Sequence, residues 1–91
     1  MHGAAARVQF EQQGSQLTAI KVVRDARSPV IVSLQRVLFT LGIVVSSYQA
    51  RPSATRLEER IVIERSDGGR IDGTLMAETK AAILPIVLQG A

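Results

Sequence analysis

The amino-acid sequence predicts an α+β fold: a two-layer sandwich in which two helices cover one face of a four-stranded antiparallel sheet. Residues 17–24 alternate in the manner of a strand and lead, through a short polar turn, into an apolar stripe with helical spacing over residues 29–41. Gly42 follows where helices commonly end in glycine, and β-type residues resume at once in residues 43–48. A strand joined so tightly to a helix and a second strand is typical of a compact sandwich.

The N-terminal part predicts a hairpin that precedes this unit. Residues 1–5 are expected to be flexible, and residues 6–91 to form a single domain. Residues 6–13 carry Val8 and Phe10 at a spacing of two, which predicts a short strand with a polar outer face. Gly14 and Ser15 then predict a tight turn into the second strand. On that strand one face is formed by Thr18, Ile20 and Val22.

The first helix is predicted over residues 29–41. Ser28 is a preferred N-cap residue, and Pro29 suits the first helical position because its missing N–H would be unpaired there in any case. The apolar face consists of Val30, Leu34, Val37, Leu38 and Leu41. This face is expected to cover the sheet.

Two strands and a second helix are predicted after it. The strands are residues 44–50 and 57–65, separated by a polar turn at residues 51–55. Ile61 and Ile63 lie on the buried face of the second of these strands. The glycine-rich residues 66–70 predict a loop.

The closing helix begins near Gly73 and Thr74, with Asp72 placed to complement the helix dipole. Pro85 either kinks this helix or ends it at Leu84, because an internal proline removes one backbone hydrogen bond. A kinked continuation is favoured, since nothing after Ala81 resembles a turn. The predicted core joins Leu75, Ile83 and Val87 of this helix to the apolar face of the first helix and to Ile20, Val22, Ile61 and Ile63.

Composition excludes several classes of site. The chain contains no cysteine, which excludes disulfides, thiolate metal ligands and a cysteine nucleophile, and which suits a cytoplasmic protein. No apolar run approaches the roughly 20 residues of a membrane helix, and residues 1–6 are too short for a signal peptide. The single histidine, His2, lies near the terminus. With no nucleophile beside a base and no cofactor fingerprint, we expect no catalytic residue, metal or cofactor, and no enzyme.

The charge pattern indicates a solvated surface. The net charge is +3, and nine of the eleven basic residues are arginine. The arginines are scattered, and they interleave with Glu58, Glu59, Glu64 and Asp67. Only three aromatic residues are present, too few for a base-stacking platform. Nucleic-acid binding is therefore not expected.

Most of the chain, residues 18–88, resembles an ACT domain, the small regulatory module of amino-acid metabolism, in particular the type found in PII uridylyltransferases. The stretches that carry the resemblance are residues 20–29, 30–41, 42–47, 60–64 and 67–71. The resemblance implies a ferredoxin-like sandwich, a homodimer and an amino-acid effector. Its usual element order is βαββαβ, whereas this chain predicts ββαββα, with the N-terminal strand in the slot of the usual last strand.

The resemblance also implies a ligand site between subunits. The turn Asp25, Arg27, Ser28 and Pro29 of one subunit would face Ser46 and Ser47 of its neighbour. Free N–H groups before a helix favour a small anion. The alternative is that Ser28 only caps the helix and Arg27 is solvated. Proline stands at position 29 where the family has a turn glycine, which favours the alternative because proline offers no N–H.

Homodimerisation is predicted along the strand of residues 44–50, at an edge of the sheet. Val44, Val45 and Tyr48 make that edge apolar, and its backbone groups are free to pair with a second copy. The leading interpretation is a non-catalytic ACT-like regulatory module that binds an amino acid or other small anionic effector at the subunit interface. The alternative is an adaptor domain for protein interaction or oligomerisation, with no small-molecule ligand.

Overall fold

The computed structural model describes residues 6–14, 17–24, 29–53 and 55–89. It confirms the predicted α+β class. The elements in chain order are β1 (Arg7–Gln13), β2 (Leu17–Arg24), α1 (Ile31–Thr40), β3 (Ile43–Pro52), β4 (Leu57–Arg65) and α2 (Gly73–Gln89). Of the helices in these residues, neither has the length and apolar character needed to cross a lipid bilayer.

The four strands form one antiparallel sheet in the order β1-β2-β4-β3. This is the ferredoxin-like strand order, in which β1 occupies the edge position that the last strand usually takes. The predicted ββαββα permutation is therefore confirmed. The predicted position of β3 at the opposite edge is confirmed as well, and β3 extends to Pro52, two residues into the predicted turn.

Alternation of side chains divides the sheet into a helix-facing side and an open side, which we call the open face. The helix-facing residues of β2 and β4 join both helices in one buried core: Ile20, Val22, Val30, Leu34, Leu38, Ile43, Ile61, Ile63, Ile71, Ile83 and Val87. Of the predicted core residues, only Val37, Leu41 and Leu75 are merely half-buried. Ile43 and Ile71, at element boundaries, complete the core although helical spacing does not include them.

The predicted start of α1 is wrong. The helix begins at Ile31, and the N-cap residue is Val30, with φ −102° and no side-chain cap of the usual kind. Pro29 precedes the helix and is exposed instead of occupying its first position. Ser28, the predicted cap, lies outside the described residues. The helix ends as predicted, with Gly42 at φ +75°, a conformation that glycine adopts without strain.

Helix α2 runs through Pro85 to Gln89, so the predicted continuation is confirmed. Pro85 is exposed, which places its ring on the outer side of the helix. Asp72 directly precedes the helix, and its carboxylate accepts the N–H of Leu75 at 2.8 Å. Asp72 thus does more than complement the dipole, because it directly pairs one of the free N–H groups of the first turn.

Candidate functional site

A buried ion pair lies between the two central strands at the end nearest the N-terminus of α1. Arg24 ends β2 and is 2% exposed, while Glu59 lies in β4 and is fully buried. The Nε of Arg24 is 3.8 Å from Oε1 of Glu59. Two charged side chains are costly to bury unless they are paired and hydrogen-bonded. The contribution of this pair to stability therefore depends on which groups form hydrogen bonds with Glu59.

Glu59 accepts hydrogen bonds from two further elements. The backbone N–H of Val30, at the start of α1, donates to its carboxylate at 3.3 Å and 3.2 Å. The hydroxyl of Tyr48, on β3, donates at 2.8 Å. We call Arg24, Val30, Tyr48 and Glu59 the Glu59 cluster. One carboxylate thus connects three strands to the N-terminus of a helix, where a negative charge is also favoured by the helix dipole.

The cluster holds Tyr48 in its neutral form. Burial, the hydrogen bond to Glu59 and the negative charge of that carboxylate together raise the pKa of the Tyr48 hydroxyl to about 12. The charge of Arg24 acts in the opposite sense. A phenol whose proton points at a carboxylate is a stable donor at neutral pH. Its role here is to pair one oxygen of Glu59.

The cluster bears directly on the predicted anion site at the start of α1. The N–H of Val30 donates to Glu59, so this one N–H group of the helix end is already paired with a carboxylate of the chain itself. Of the predicted turn residues, Pro29 is exposed, and Asp25, Arg27 and Ser28 lie outside the described residues. The predicted anion site at this turn therefore stays a prediction.

The predicted residues of β3 lie on different sides of the strand. Ser46 and Ser47 are exposed, and the pairing with β4 shifts between Val45 and Ser47, so that Ser46 is an extra residue of a β-bulge. Val44 and Val45 are half-buried. Tyr48 packs against the core on the helix-facing side, where it belongs to the Glu59 cluster, although its strand lies at the edge of the sheet.

An apolar shelf lies between α1 and this part of β3. The side chain of Phe39, on α1, is 75% exposed. A shallow groove of about 240 Å³ separates it from β3, lined by Gln35, Phe39, Ile43, Val44 and Val45. We call these residues the Phe39 shelf. An exposed phenyl group beside a free strand edge is a feature of interaction surfaces.

The interpretation of the interleaved charges as a solvated surface is wrong for Arg24 and Glu59. The strand pattern carried the signal that would have found them. Glu59 lies two and four residues before the buried Ile61 and Ile63, and Arg24 lies four and two residues after the buried Ile20 and Val22. Because side chains alternate along a strand, this spacing alone places both charges on the buried face. Two opposite charges predicted on one buried face, on strands that could neighbour each other, indicate a buried pair.

Among the described residues, no group of three or more histidine, aspartate or glutamate side chains is arranged to hold a metal ion. Comparison of the chain with protein-family models, with curated proteins and with solved structures finds no match. The fold is therefore established by the structure, whereas the resemblance to ACT domains stays a prediction from the sequence pattern.

Proposed function

We propose that the protein is a non-catalytic module that assembles as a homodimer through the edge of β3, in the manner that the ACT-like sequence pattern implies. The observation that carries the proposal is the position of β3. This ten-residue strand pairs only with β4 within the described chain, so its outer side presents unpaired backbone groups. An edge of this length is a template for another strand.

The Phe39 shelf supports the choice of this edge over that of β1. It places an exposed phenyl group and two half-buried valines beside the strand, where a second copy would remove them from water. By contrast, β1 alternates between exposed polar and half-buried residues, with charges at Arg7 and Glu11. Apolar contacts at β3 would add to backbone pairing, and a twofold axis would make the interface self-complementary.

The bulge at Ser46 and the proline at position 52 set bounds on such pairing. A bulge interrupts the regular spacing of an edge, and Pro52 has no N–H to donate. We therefore place the pairing segment of each copy between Ser47 and Arg51. The shelf would then lie beside this short ladder and supply most of the apolar contact.

Sedimentation or light scattering at micromolar concentration tests the proposal. We expect twice the mass of one chain for the unmodified protein. Phe39→Lys is the first variant, since its side chain is exposed and the fold does not depend on it; it should give the mass of one chain. Val32→Lys is the matched control, because Val32 is 68% exposed on the same helix but does not line the shelf.

Ser47→Pro is the second variant and tests backbone pairing separately. It should separate the copies if the β3 edge is the interface, provided that circular dichroism shows an intact fold. A mass of one chain for the unmodified protein would overturn the proposal. An unchanged dimer in a folded Phe39→Lys or Ser47→Pro variant would place the interface elsewhere.

Effector binding at the same interface is a second candidate, and the bulge is the observation that favours it. Bulges frequently lie beside functional sites, and this one leaves Ser46 and Ser47 exposed with their hydroxyls available. A thermal-shift screen of amino acids and nucleotides tests the idea, since a ligand specific to the native state raises the melting temperature. Loss of the shift in Ser46→Ala/Ser47→Ala would support it. No shift at millimolar concentration would favour the adaptor without a ligand.

A further inference from the structure

Positive charge is concentrated at one corner of the open face of the sheet. The register of the strands places Lys21 directly opposite Arg60 and Arg51 directly opposite Glu58. We call these four residues the basic corner. They lie on the three strands β2, β4 and β3, close to the end of β3, and sum to a charge of +2. Like charges directly opposite one another destabilise a sheet, so the placement of Lys21 opposite Arg60 does not stabilise the fold.

Glu58 offsets only part of this charge. Its carboxylate lies 3.7 Å from Nζ of Lys21. Within the part of the chain that the structure describes, no hydrogen bond or ion pair engages the guanidinium group of Arg51 or Arg60. Two guanidinium groups on neighbouring strands are therefore left with their donors available.

The two arginines also border a recess. A shallow groove of about 460 Å³ at this end of the sheet is lined by Gln49, Ala50, Arg51, Pro52, Glu58 and Arg60. Gln49 is opposite Arg60 in the register and adds an exposed amide to the rim. The groove thus offers two forked cationic donors and one neutral donor to the same space.

We propose that the basic corner binds a phosphate group, with Arg51 and Arg60 donating to its oxygens and Lys21 contributing charge. A phosphate monoester presents three terminal oxygens and up to two negative charges, so it accepts from two guanidinium forks with more acceptor sites and more charge than one carboxylate offers. A dianion also matches the net charge of the corner. The site lies within one copy of the chain, so it does not depend on pairing through β3.

NMR titration of the labelled protein with inorganic phosphate and pyrophosphate, at constant ionic strength, tests the proposal. We expect amide shifts confined to residues 21, 49–51 and 58–60. Arg60→Gln and Arg51→Gln should each weaken binding about tenfold or more, since each removes charge-assisted hydrogen bonds. Glu58→Gln should strengthen it, because the only carboxylate of the corner is then neutral.

Arg36→Gln is the matched control, since Arg36 is an exposed arginine on α1, on the opposite side of the sheet. It removes the same charge and should leave the affinity unchanged. Equal weakening in Arg36→Gln and Arg60→Gln, or no shifts at millimolar pyrophosphate, would overturn the site. Binding of succinate as tight as that of phosphate would overturn the assignment to a phosphate group. Binding of an oligonucleotide in addition to phosphate would identify a polymer as the source of that group.

Discussion

Glu58 and Glu59 are consecutive residues of β4 that lie in opposite environments. Each has a cationic partner on β2 at nearly the same distance, 3.7 Å to Lys21 for Glu58 and 3.8 Å to Arg24 for Glu59. The side chains of the first pair are 47% and 38% exposed, and those of the second are 3% and 0% exposed. The alternation of the strand alone makes one pair a surface contact and the other a buried one.

The comparison teaches that distance does not determine what an ion pair contributes. Exposed pairs are screened by water and salt and contribute about 0–1 kcal/mol. A buried pair has lost its hydration, so removal of one partner leaves the other charge in the interior without that partner. Glu59 has the additional task of pairing the N–H of Val30 and the hydroxyl of Tyr48. Substitutions at Glu59, Arg24, Tyr48 and Glu58 test this contrast.

Glu59→Gln should have the largest effect. The amide is nearly isosteric, yet it withdraws the negative charge from the buried Arg24, and loss of one partner of a buried pair costs about 3–5 kcal/mol. Urea denaturation of the unmodified protein and the variant measures the difference in unfolding free energy. We expect the loss to be nearly the same at low and high salt, because the pair is shielded from solvent.

A second substitution tests whether charge is the cause. Arg24→Met combined with Glu59→Gln removes both charges and should recover part of the stability, since the buried guanidinium is then removed together with its carboxylate partner. A double variant that is as unstable as the sum of the two single variants would contradict this interpretation. It would show that each residue acts through separate contacts.

Leu34→Ala measures the contribution of apolar packing between α1 and the sheet. Leu34 is fully buried on α1, and the cavity left by the truncation should cost about 2–5 kcal/mol. Thermal denaturation checks the value. Val32→Ala on the exposed side of the helix is the control and should change little. A variant that melts like the unmodified protein would contradict the observed packing of α1.

Tyr48→Phe should have an intermediate effect. It removes the hydroxyl that donates to Glu59 at 2.8 Å, and a hydrogen bond to a charged group contributes about 1.5–3 kcal/mol. The variant also isolates a pH dependence. The pKa of Tyr48 is raised from 10.0 to about 12 on folding, so its contribution is complete below pH 10 and is lost as the pH rises through 12.

Tyr48 is the single tyrosine of the chain, so tyrosinate absorbance reports on this group alone. The folded protein should titrate near pH 12 and the urea-unfolded protein near pH 10. The difference in stability between the unmodified protein and Tyr48→Phe should shrink over the same interval. A folded-state midpoint at pH 10 would show that the hydroxyl is not held by Glu59.

The regular part of the fold could be predicted because it depends on local periodicity. Alternation located all four strands, helical spacing located both helices, and Gly42 marked the end of α1. The start of α1 could not be predicted from local signals. The N-cap residue is Val30, and its N–H is paired by the carboxylate of Glu59, 29 residues further along the chain.

The Glu59 cluster was predictable in part. The alternation of the strands indicated that Arg24 and Glu59 are buried, and the ferredoxin-like order placed β2 beside β4, but nothing in the sequence gives the register that sets Val22 opposite Glu59. The bulge at Ser46 could not be predicted from the sequence either, because no glycine lies at that position. Contacts between strands that are distant in the sequence can be predicted only when the register of the strands is known. That register is set by the folded sheet and not by local sequence.

Glu58→Gln should have the smallest effect on stability, and its dependence on salt completes the comparison with Glu59. The lost contact to Lys21 is exposed, so we expect a change of about 0–1 kcal/mol. The substitution also leaves Lys21, Arg51 and Arg60 without a neighbouring carboxylate on the open face. Their mutual repulsion should add to the loss at low ionic strength.

Denaturation at about 10 mM and about 1 M salt separates the two terms, because the Debye length falls from about 30 Å to about 3 Å over this range. The destabilisation by Glu58→Gln should be largest at low salt and should vanish at high salt. Glu59→Gln, with the same change one residue further along the strand, should keep its full effect at both. A loss at Glu58 that persists in 1 M salt would mean that this side chain stabilises the sheet through packing, and the difference between the two faces would then not be electrostatic.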